Sequence, residues 1–452
     1  MSLRNNPVSL TFVFRPADIS PSLVNIAQNL GIRIIFDLGS QNPSNYQAQL
    51  LMADASKDTV DLKISPKWLS NPDLVSTLRE TDIRRVWVDL EPVCVLGDIR
   101  ATLDRVALLS EEFEIIPVLS DLSAIAQIVH NYPEIKTISL KGNEAAGFVG
   151  SETLLTLFSS VMSMVKQSST EKELFVWGGI AFPEAAAAFL CCGANGIAFE
   201  SLHWLTDLIN IPDGARTRIA NLRPDHTELT GGSLNVYVRV FNKGNSLSVK
   251  DLRAFSGSLC GDEIRDEQRI FFAKHVLEKL IDPIKSVFGK DELIPLGIEA
   301  AFAASFARRY GDSTEVAIQR FVGDIQKMAD EAELKCSTFA SSPTAKEMGT
   351  TYPFIQGAMS WITDCPEFAS KVSDAGALPT LAMGLMDAAT LSAKFSGLTD
   401  LMRGKPYAVN IITLPENPYR DEQLEWIKAN KPKFAVIAAG EPSHAKSLMA
   451  EG

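Results

Sequence analysis

Eight short apolar runs, each followed by a helix-like stretch, recur through the first 200 residues of this 452-residue chain. The runs are rich in β-branched residues, as buried strands are. Several of the intervening stretches open with Ser, Asn or Asp and close near Gly or Asn, as helix caps require. Strand alternating with helix predicts a parallel sheet, and eight units predict a (β/α)8 TIM barrel, with an open doubly wound sheet as the alternative. The predicted strands are 10–14, 33–38, 59–64, 84–90, 114–119, 136–140, 174–177 and 196–199.

This rhythm breaks after residue 208 and returns near residue 350. Residues 233–241 predict a strand or hairpin arm, and three helical patterns follow at 263–281, 293–311 and 313–334. Strand–helix alternation restarts with predicted strands at 352–359, 377–383, 407–412 and 434–440. The sequence thus predicts an α/β protein in three parts: a barrel over 8–208, a mainly helical insert over 209–349, and a partial second βα barrel over 350–452. Half a barrel would leave an open edge and an uncovered face.

Composition limits the partners. The net charge is −12 with no basic block, which argues against nucleic acid or an anionic membrane as the main partner. No apolar stretch is long enough to cross a bilayer, and no signal peptide opens the chain. The six cysteines form no CxxC pair and the five histidines form no metal-like pair. We therefore expect a cytoplasmic protein without a bound metal that acts on a small molecule.

In a βα barrel the functional residues follow the strand ends. The loops after the seventh and eighth strands often bind phosphate through backbone N–H groups, which suits a Gly-Gly pair followed by a helix. The alternative is that these glycines only form tight turns. His203 also follows the eighth strand, where a structural role is expected for a lone histidine. The candidate strand-end residues are Lys141, Gly142, Glu144, Gly147 and Gly150 after the sixth strand, Gly178 and Gly179 after the seventh, and Glu200 and Ser201 after the eighth.

The last 100 residues carry a second set of candidates. Gln356, Gly357 and Met359 lie at the end of one predicted strand, and Gly440 lies at the end of another. Asn410 lies within a predicted strand, where a buried amide needs hydrogen-bond partners. Those partners are either a polar ligand or the backbone of the barrel itself.

Three stretches resemble a known family. KGNEAAGFVG (141–150), LFVWGGIAFPEAAAAFLCCGANGIAF (174–199) and YPFIQGAMSWITDCPEFASKVSDAGALPTLAMG (352–384) are similar to nitronate monooxygenases (2-nitropropane dioxygenases) and to the flavin-dependent enoyl-ACP reductases of the same superfamily. KPYAVNI (405–411) and FAVIAAGEPS (434–443) resemble the family's third and fourth strands.

The resemblance implies a TIM barrel that holds FMN at its mouth. Gln356, Gly357, Met359 and Asn410 would contact the flavin, and Gly440 would lie beside it. In the first barrel, the corresponding cofactor-binding residues would be Lys141, Glu144 and Gly147 near the ring or the ribityl chain, with Gly178, Gly179 and Ser201 at the phosphate.

Two departures from the family pattern weaken the first barrel. The histidine expected to transfer protons is Phe148, which cannot exchange a proton, so no catalytic residue is assigned. Glu200-Ser201 replaces the expected Gly-Thr, and a carboxylate repels a phosphate dianion. We expect a degenerate barrel from which FMN is absent. If it is a worn enzyme, Glu200→Thr with Phe148→His should raise its flavin affinity.

Two assemblies and three functions remain open. Residues 8–208 form a complete barrel and 350–452 begin a second one, or strands of 350–452 combine with those of 113–205 in one composite barrel. The leading function is an FMN-dependent oxidoreductase, of the enoyl-thioester reductase or nitronate monooxygenase type, in a fatty acid or polyketide synthase system. Its expected partners are an acyl-thioester substrate, NAD(P)H as electron donor, an acyl carrier protein and a second copy of the chain. The alternatives are an inactive barrel that serves as a scaffold, and a lyase or aldolase that uses Lys141 as a Schiff base.

Overall fold

A computed structural model describes residues 9–15, 18, 20–39, 59–81, 83–260, 264–283, 286–340 and 342–450. The chain forms two compact units, Met1–Ala332 and Glu333–Gly452. The three-part division at residues 208 and 349 draws its boundaries from sequence pattern alone and stays a prediction.

Eight parallel strands close a barrel in the first unit. Each strand pairs with the next barrel strand along the chain, and the last pairs back with the first through Ser9↔Gly196 and Phe12↔Phe199. The predicted TIM barrel and its eight strands are confirmed, and the open-sheet alternative is wrong. With strands numbered in chain order, the barrel consists of β1 (Ser9–Phe14), β2 (Arg33–Asp37), β3 (Val60–Ile64), β4 (Arg85–Asp89), β5 (Glu114–Leu119), β6 (Thr137–Lys141), β8 (Glu173–Trp177) and β9 (Gly196–Phe199).

Several helices begin at the caps that the sequence predicts. Ser20 accepts a hydrogen bond from the N–H of Leu23, and Asp121 accepts one from the N–H of Ala124. The α-helices of the described residues are Pro21–Leu30, Pro72–Glu80, Glu91–Leu96, Ile99–Leu109, Leu122–Asn131, Leu154–Gln167, Pro183–Cys191, Asp213–Ala220, Leu247–Leu259, Asp266–Lys279, Ala303–Tyr310, Thr314–Phe339, Pro343–Met348, Pro366–Asp374, Ala388–Lys394, Leu398–Met402, Arg420–Asn430 and Pro442–Ala450.

The barrel interior is filled with aromatic side chains. Trp87 lies edge-on to Phe175 and to Trp177, with ring centroids 5.3 Å and 5.8 Å away. The Trp87 indole N–H donates to Asp61 at 2.8 Å, and Asp61 is also paired with Arg33. The interior of this barrel is therefore a packed core, and the functional residues of such barrels lie at the carboxyl ends of the strands.

A small antiparallel sheet, in the order β10–β11–β7, forms within the first unit. It contains β7 (Gly147–Val149), β10 (Thr227–Thr230) and β11 (Tyr237–Phe241). β11 lies in the region predicted to be a hairpin arm, and it pairs with β10 as a hairpin does. Helices Leu247–Leu259 and Asp266–Lys279 pack on this sheet through a separate apolar cluster. The predicted helical insert therefore also contributes two strands, of which β11 pairs with β7 in the loop after β6.

The second unit holds an open parallel sheet of β12 (Thr380–Ala382), β13 (Ala408–Ile412) and β14 (Phe434–Ala438). One face, with Leu381, Val409 and Ile411, packs against helices. The opposite face is partly open, since Val436 in β14 is 41% exposed. This arrangement confirms the predicted partial βα barrel segment.

The strand predicted at 352–359 is wrong. Among the described residues, this segment forms one isolated bridge, Ile355↔Leu378, with the residues just before β12. Pro353 has no N–H to donate, and Phe354 and Ile355 are exposed. A segment with one neighbour and one open side gains too few hydrogen bonds to form a regular strand.

No helix among the described residues is long and apolar enough to cross a membrane.

Candidate functional site

Two lysines at the mouth of the first barrel are paired with carboxylates. Lys63 Nζ lies 2.6 Å from Asp37 Oδ2, and Lys141 Nζ lies 2.8 Å from Asp89 Oδ2. Burial opposes the charge on Lys63, but the carboxylates of Asp37, Asp89 and Glu200 outweigh it and hold the pKa of Lys63 above its usual value. Carboxylates of the same chain thus neutralise the positive charge of both lysines. An ammonium held in an ion pair is a poor nucleophile, which weakens the Schiff-base alternative for Lys141.

Glu91 is a buried carboxyl at this mouth that the sequence reasoning did not select. It begins the helix Glu91–Leu96 directly after β4 and accepts a hydrogen bond from the N–H of Ser120. Burial raises the pKa of Glu91 to about 7, with Lys141 acting in the opposite direction. A carboxyl that titrates near neutral pH suits a general acid or base. Its signal in the sequence was an acidic residue immediately after a buried strand.

The loop KGNEAAG after β6 is held by its own polar groups. Gly142 N–H donates to Trp177 O at 3.0 Å, and the Glu144 carboxylate accepts the N–H of Leu154 at 3.0 Å. Gly147 has a φ of +75°, which favours glycine, and starts β7. Phe148 lies in β7, opposite Val238 of β11, and is buried. Lys141 and Glu144 thus bond to protein groups, and Phe148 belongs to an apolar core.

Gly178 and Gly179 let two loops approach each other. Both have positive φ, +114° and +70°. A Cβ on Gly178 would lie 2.7 Å from the Cβ of Ala145, and one on Gly179 would lie 2.6 Å from the Cβ of Glu144. The space in front of these glycines is therefore taken by the loop after β6, as the tight-packing alternative expects.

The loop after β9 is occupied by a carboxylate from the same chain. Glu299 Oε1 accepts the N–H of Ser201 at 2.9 Å and the N–H of Leu202 at 2.8 Å. Burial raises the pKa of Glu299 to about 8, and the charge of Glu200 adds to this effect. This loop is where βα barrels commonly bind a phosphate. Because Glu299 already uses these N–H groups, the residues present do not fit the phosphate of FMN in the first barrel.

His203 has a structural environment, as expected. Its imidazole is buried between Phe12 and Phe14, and Nε2 lies 3.0 Å from Val13 O. Burial lowers the pKa of His203 to about 3, so the ring is neutral at physiological pH. Because Nε2–H donates to Val13 O and the ring is buried, this histidine is not placed to exchange a proton with a ligand at the mouth.

In the second unit, the QGAM turn follows the segment beside β12. Gln356 Oε1 accepts the N–H of Thr380 at 3.0 Å, and Met359 N–H donates to Thr363 Oγ1 at 2.8 Å. Gly357 has open space where a Cβ would lie, and the Met359 side chain is exposed. Gly357 and Met359 are thus exposed and Gln356 is half-buried, whereas Lys141, Gly147, Gly178 and Ser201 of the first barrel are buried.

Asn410 lies in β13 on the partly open face of the sheet, in register with Val436. Its Nδ2 donates to Val436 O at 3.0 Å, which is the backbone partner that the alternative expects. Gly440 follows β14, and a Cβ there would lie 2.2 Å from Thr413 Oγ1. The structure therefore brings Gln356, Gly357 and Met359 together at β12, with Asn410 in the adjacent strand. Their role in binding a cofactor stays a prediction.

Comparison with known proteins distinguishes the second unit from the first barrel. Residues 341–446 match the family Nitronate monooxygenase. This match confirms the predicted resemblance, and it covers the second set of candidate residues rather than the first barrel. No curated protein matches the sequence.

Solved structures share the fold at low identity. FabK from Thermotoga maritima is 16% identical with a TM-score of 0.53, and the alignment covers 74% of this chain and 96% of that one. The enoyl reductase domain of MlnA from Bacillus amyloliquefaciens is 10% identical with a TM-score of 0.52, covering 73% and 96%. These likenesses support the same barrel architecture and, at such identities, say nothing further about the chemistry.

Proposed function

We propose that this chain has an oxidoreductase function of the nitronate monooxygenase and enoyl reductase type, and that residues 341–446 contribute its FMN-binding residues. The observation that carries the proposal is the family match, which falls on the unit where the candidate residues are accessible. FMN, when bound, supplies the hydride chemistry, and the protein supplies binding and orientation.

The side chains of this unit suit the edge of a flavin ring. Gln356 and Asn410 carry amides, which both donate and accept hydrogen bonds. Gly357 leaves room for a ring to approach the backbone, and Met359 offers an exposed apolar surface beside it. Asn410 would exchange its bond to Val436 O for one to the ligand, so the backbone partner does not exclude a binding role.

For the substrate, we favour an enoyl thioester over a nitronate. One of the similar structures is an enoyl reductase domain from a macrolactin biosynthesis cluster, which makes an acyl-thioester the first substrate to test. NAD(P)H as electron donor, an acyl carrier protein, a synthase setting and a second copy of the chain belong to the same proposal.

A second role is proposed for the first barrel, which we infer to be an inactive scaffold with respect to flavin chemistry. The observation that favours it is the Glu299 carboxylate at the backbone N–H groups of Ser201 and Leu202. The ion pairs of Lys63 and Lys141 also support this role, because both lysines have carboxylate partners within the chain itself.

The test is FMN binding to the purified full chain, followed by absorbance and by quenching of flavin fluorescence. We expect Asn410→Ala and Gln356→Ala each to weaken FMN binding by about fivefold to tenfold, the effect of one lost hydrogen bond. Asn430→Ala is the matched control, because its amide caps an exposed helix end in the same unit through Trp426 O. Equal FMN affinity in all four proteins, or no binding at millimolar FMN, would contradict the proposal.

A further inference from the structure

The loop after β9 directs two neighbouring backbone N–H groups at a single oxygen. Ser201 N and Leu202 N lie 2.9 Å and 2.8 Å from Glu299 Oε1. Consecutive N–H groups that converge on one acceptor are the arrangement by which backbone binds oxyanions. Glu299 and Ser201 are both buried, at 1% and 2% exposure. The loop therefore forms a pre-arranged oxyanion site that is shielded from solvent.

This site has more polar capacity than the carboxylate uses. Ser201 Oγ and Glu299 Oε2 are buried and have no hydrogen-bond partner among the described residues. A buried hydroxyl without a partner is costly and is rare in native proteins. A tetrahedral oxyanion, with four oxygens, could use both the N–H groups and the hydroxyl, whereas one carboxylate oxygen uses the N–H groups alone.

Glu299 is held at the site by a short segment of its own. It lies in the 3-10 helix Ile298–Phe302, and the N–H of Ile298 donates to Glu144 O at 2.9 Å. A Cβ on Gly297 would lie 3.1 Å from Ala146 N, so this segment runs close along the loop after β6. The carboxyl is thus fixed by contacts to the loops after β6 and β9 together.

We infer that the first barrel contains an oxyanion-binding site at the end of β9 that its own Glu299 fills, so that phosphate and phosphate monoesters are excluded from this barrel. The inference deepens the scaffold role proposed for the first barrel and does not depend on the flavin site proposed for residues 341–446. Burial raises the pKa of Glu299 to about 8, which agrees with a carboxyl enclosed by protein and facing the charge of Glu200. Protonated or not, its carbonyl oxygen accepts the two N–H groups.

The test compares two double variants of the full chain, Glu200→Gln/Glu299→Ala and Glu200→Gln/Glu299→Gln. Both remove the same two carboxylates, and they differ only in whether a side-chain oxygen still reaches the N–H groups of Ser201 and Leu202. The probe is inorganic phosphate, followed by ³¹P NMR and by the thermal midpoint at constant ionic strength. We expect only the Glu299→Ala protein to bind phosphate and to gain ~2 °C when phosphate is about tenfold above its Kd.

Equal phosphate binding by the two double variants would overturn the inference. Phosphate binding by the folded wild-type chain, with an affinity that the Glu299→Ala change does not alter, would overturn it as well. Should the Glu299→Ala protein not fold, hydrogen exchange on the wild type decides the matter alone. The amides of Ser201 and Leu202 should exchange at least tenfold more slowly than exposed loop amides, since Glu299 holds them. Exchange at the exposed-loop rate would show that the carboxyl does not fill the site.

Discussion

The two βα regions of this molecule differ in closure, and closure decides what their strand-end residues can do. In the closed barrel, strand ends from all sides converge, and Lys63, Lys141 and the loop after β9 are matched by carboxylates of the same chain. In the open three-stranded sheet, Gln356 and Asn410 bond to nearby backbone and remain accessible. The complete barrel thus shares its fold with the FabK structure and holds Glu299 at the loop after β9, while the family match falls on the incomplete one.

The largest expected difference between the regions is in packing. Trp87→Ala removes a fully buried ring from the barrel interior and leaves Asp61 without its indole partner. We expect it to lower the free energy of unfolding by about 3–5 kcal/mol. Trp361→Ala in the second unit is the matched control, because that ring is 80% exposed, and it should change stability by less than about 0.5 kcal/mol. Urea unfolding followed by circular dichroism measures both, and similar losses would show that the regions are not packed differently.

The second comparison concerns ion pairs. Lys141→Met leaves Asp89 at the barrel mouth, beside buried Glu91, without its ion-pair partner, and should cost about 2–3 kcal/mol. Lys405→Met breaks the pair with Asp374 in the second unit, where both side chains are exposed, and should cost less than about 1 kcal/mol. Equal costs, measured by the same urea unfolding, would show that closure does not make the barrel pairs special.

The sequence pattern was sufficient to predict the strands of the barrel, but not the side chains that occupy the loops at its strand ends. The eight strands are short, mostly apolar runs of four to six residues, and burial on both faces is what produces such runs in parallel sheets. The accessible candidates in the second unit could also be selected, since Gln356 and Asn410 lie at or next to such runs. Both inferences depend on residues that are close in sequence.

What sequence pattern could not predict depends on distant contacts. Glu299 lies in an Ala-rich helical pattern almost 100 residues after Ser201, and nothing local indicates that it returns to the loop after β9. β7 has only three residues and forms because β11, some 90 residues later, pairs with it. The strand predicted at 352–359 does not form for the opposite reason. Its local sequence pattern is typical of a strand, but too few neighbouring backbone groups pair with it.

Stability should depend on pH in opposite directions in the two regions. Burial raises the pKa of Glu91 to about 7 and of Glu299 to about 8, from an ordinary 4.5, so the folded barrel holds these protons more tightly than the unfolded chain. Their contribution is complete below about pH 4.5 and is lost as the pH rises to 8, by at most about 1.4 kcal/mol per pH unit and group. In the second unit, hydrogen bonds lower the pKa values of Asp374 and Asp387, whose contribution is lost as the pH falls through those values.

Calorimetry of the full chain between pH 5 and 8.5 tests the dependence expected for Glu91 and Glu299. Glu299→Gln cannot titrate, so its thermal midpoint should fall less than that of the wild type over this range. Glu299 faces Glu200, so a Glu200→Gln variant checks whether that neighbour alters the midpoint by itself. Identical slopes for wild type and Glu299→Gln would mean that the buried carboxyl does not titrate in this window.

The last comparison predicts no change in FMN affinity. Resemblance alone suggests that Glu200→Thr with Phe148→His would restore flavin binding to a worn barrel. The structure argues otherwise, because Glu299 would still hold the N–H groups of Ser201 and Leu202, and the new histidine would be buried in the apolar cluster of β7 and β11. In an Asn410→Ala background, where flavin on the second unit is weakened, we expect the double change to leave FMN affinity unaltered. A gain of tenfold or more would show that the departures at 148 and 200, and not Glu299, keep flavin out of the closed barrel.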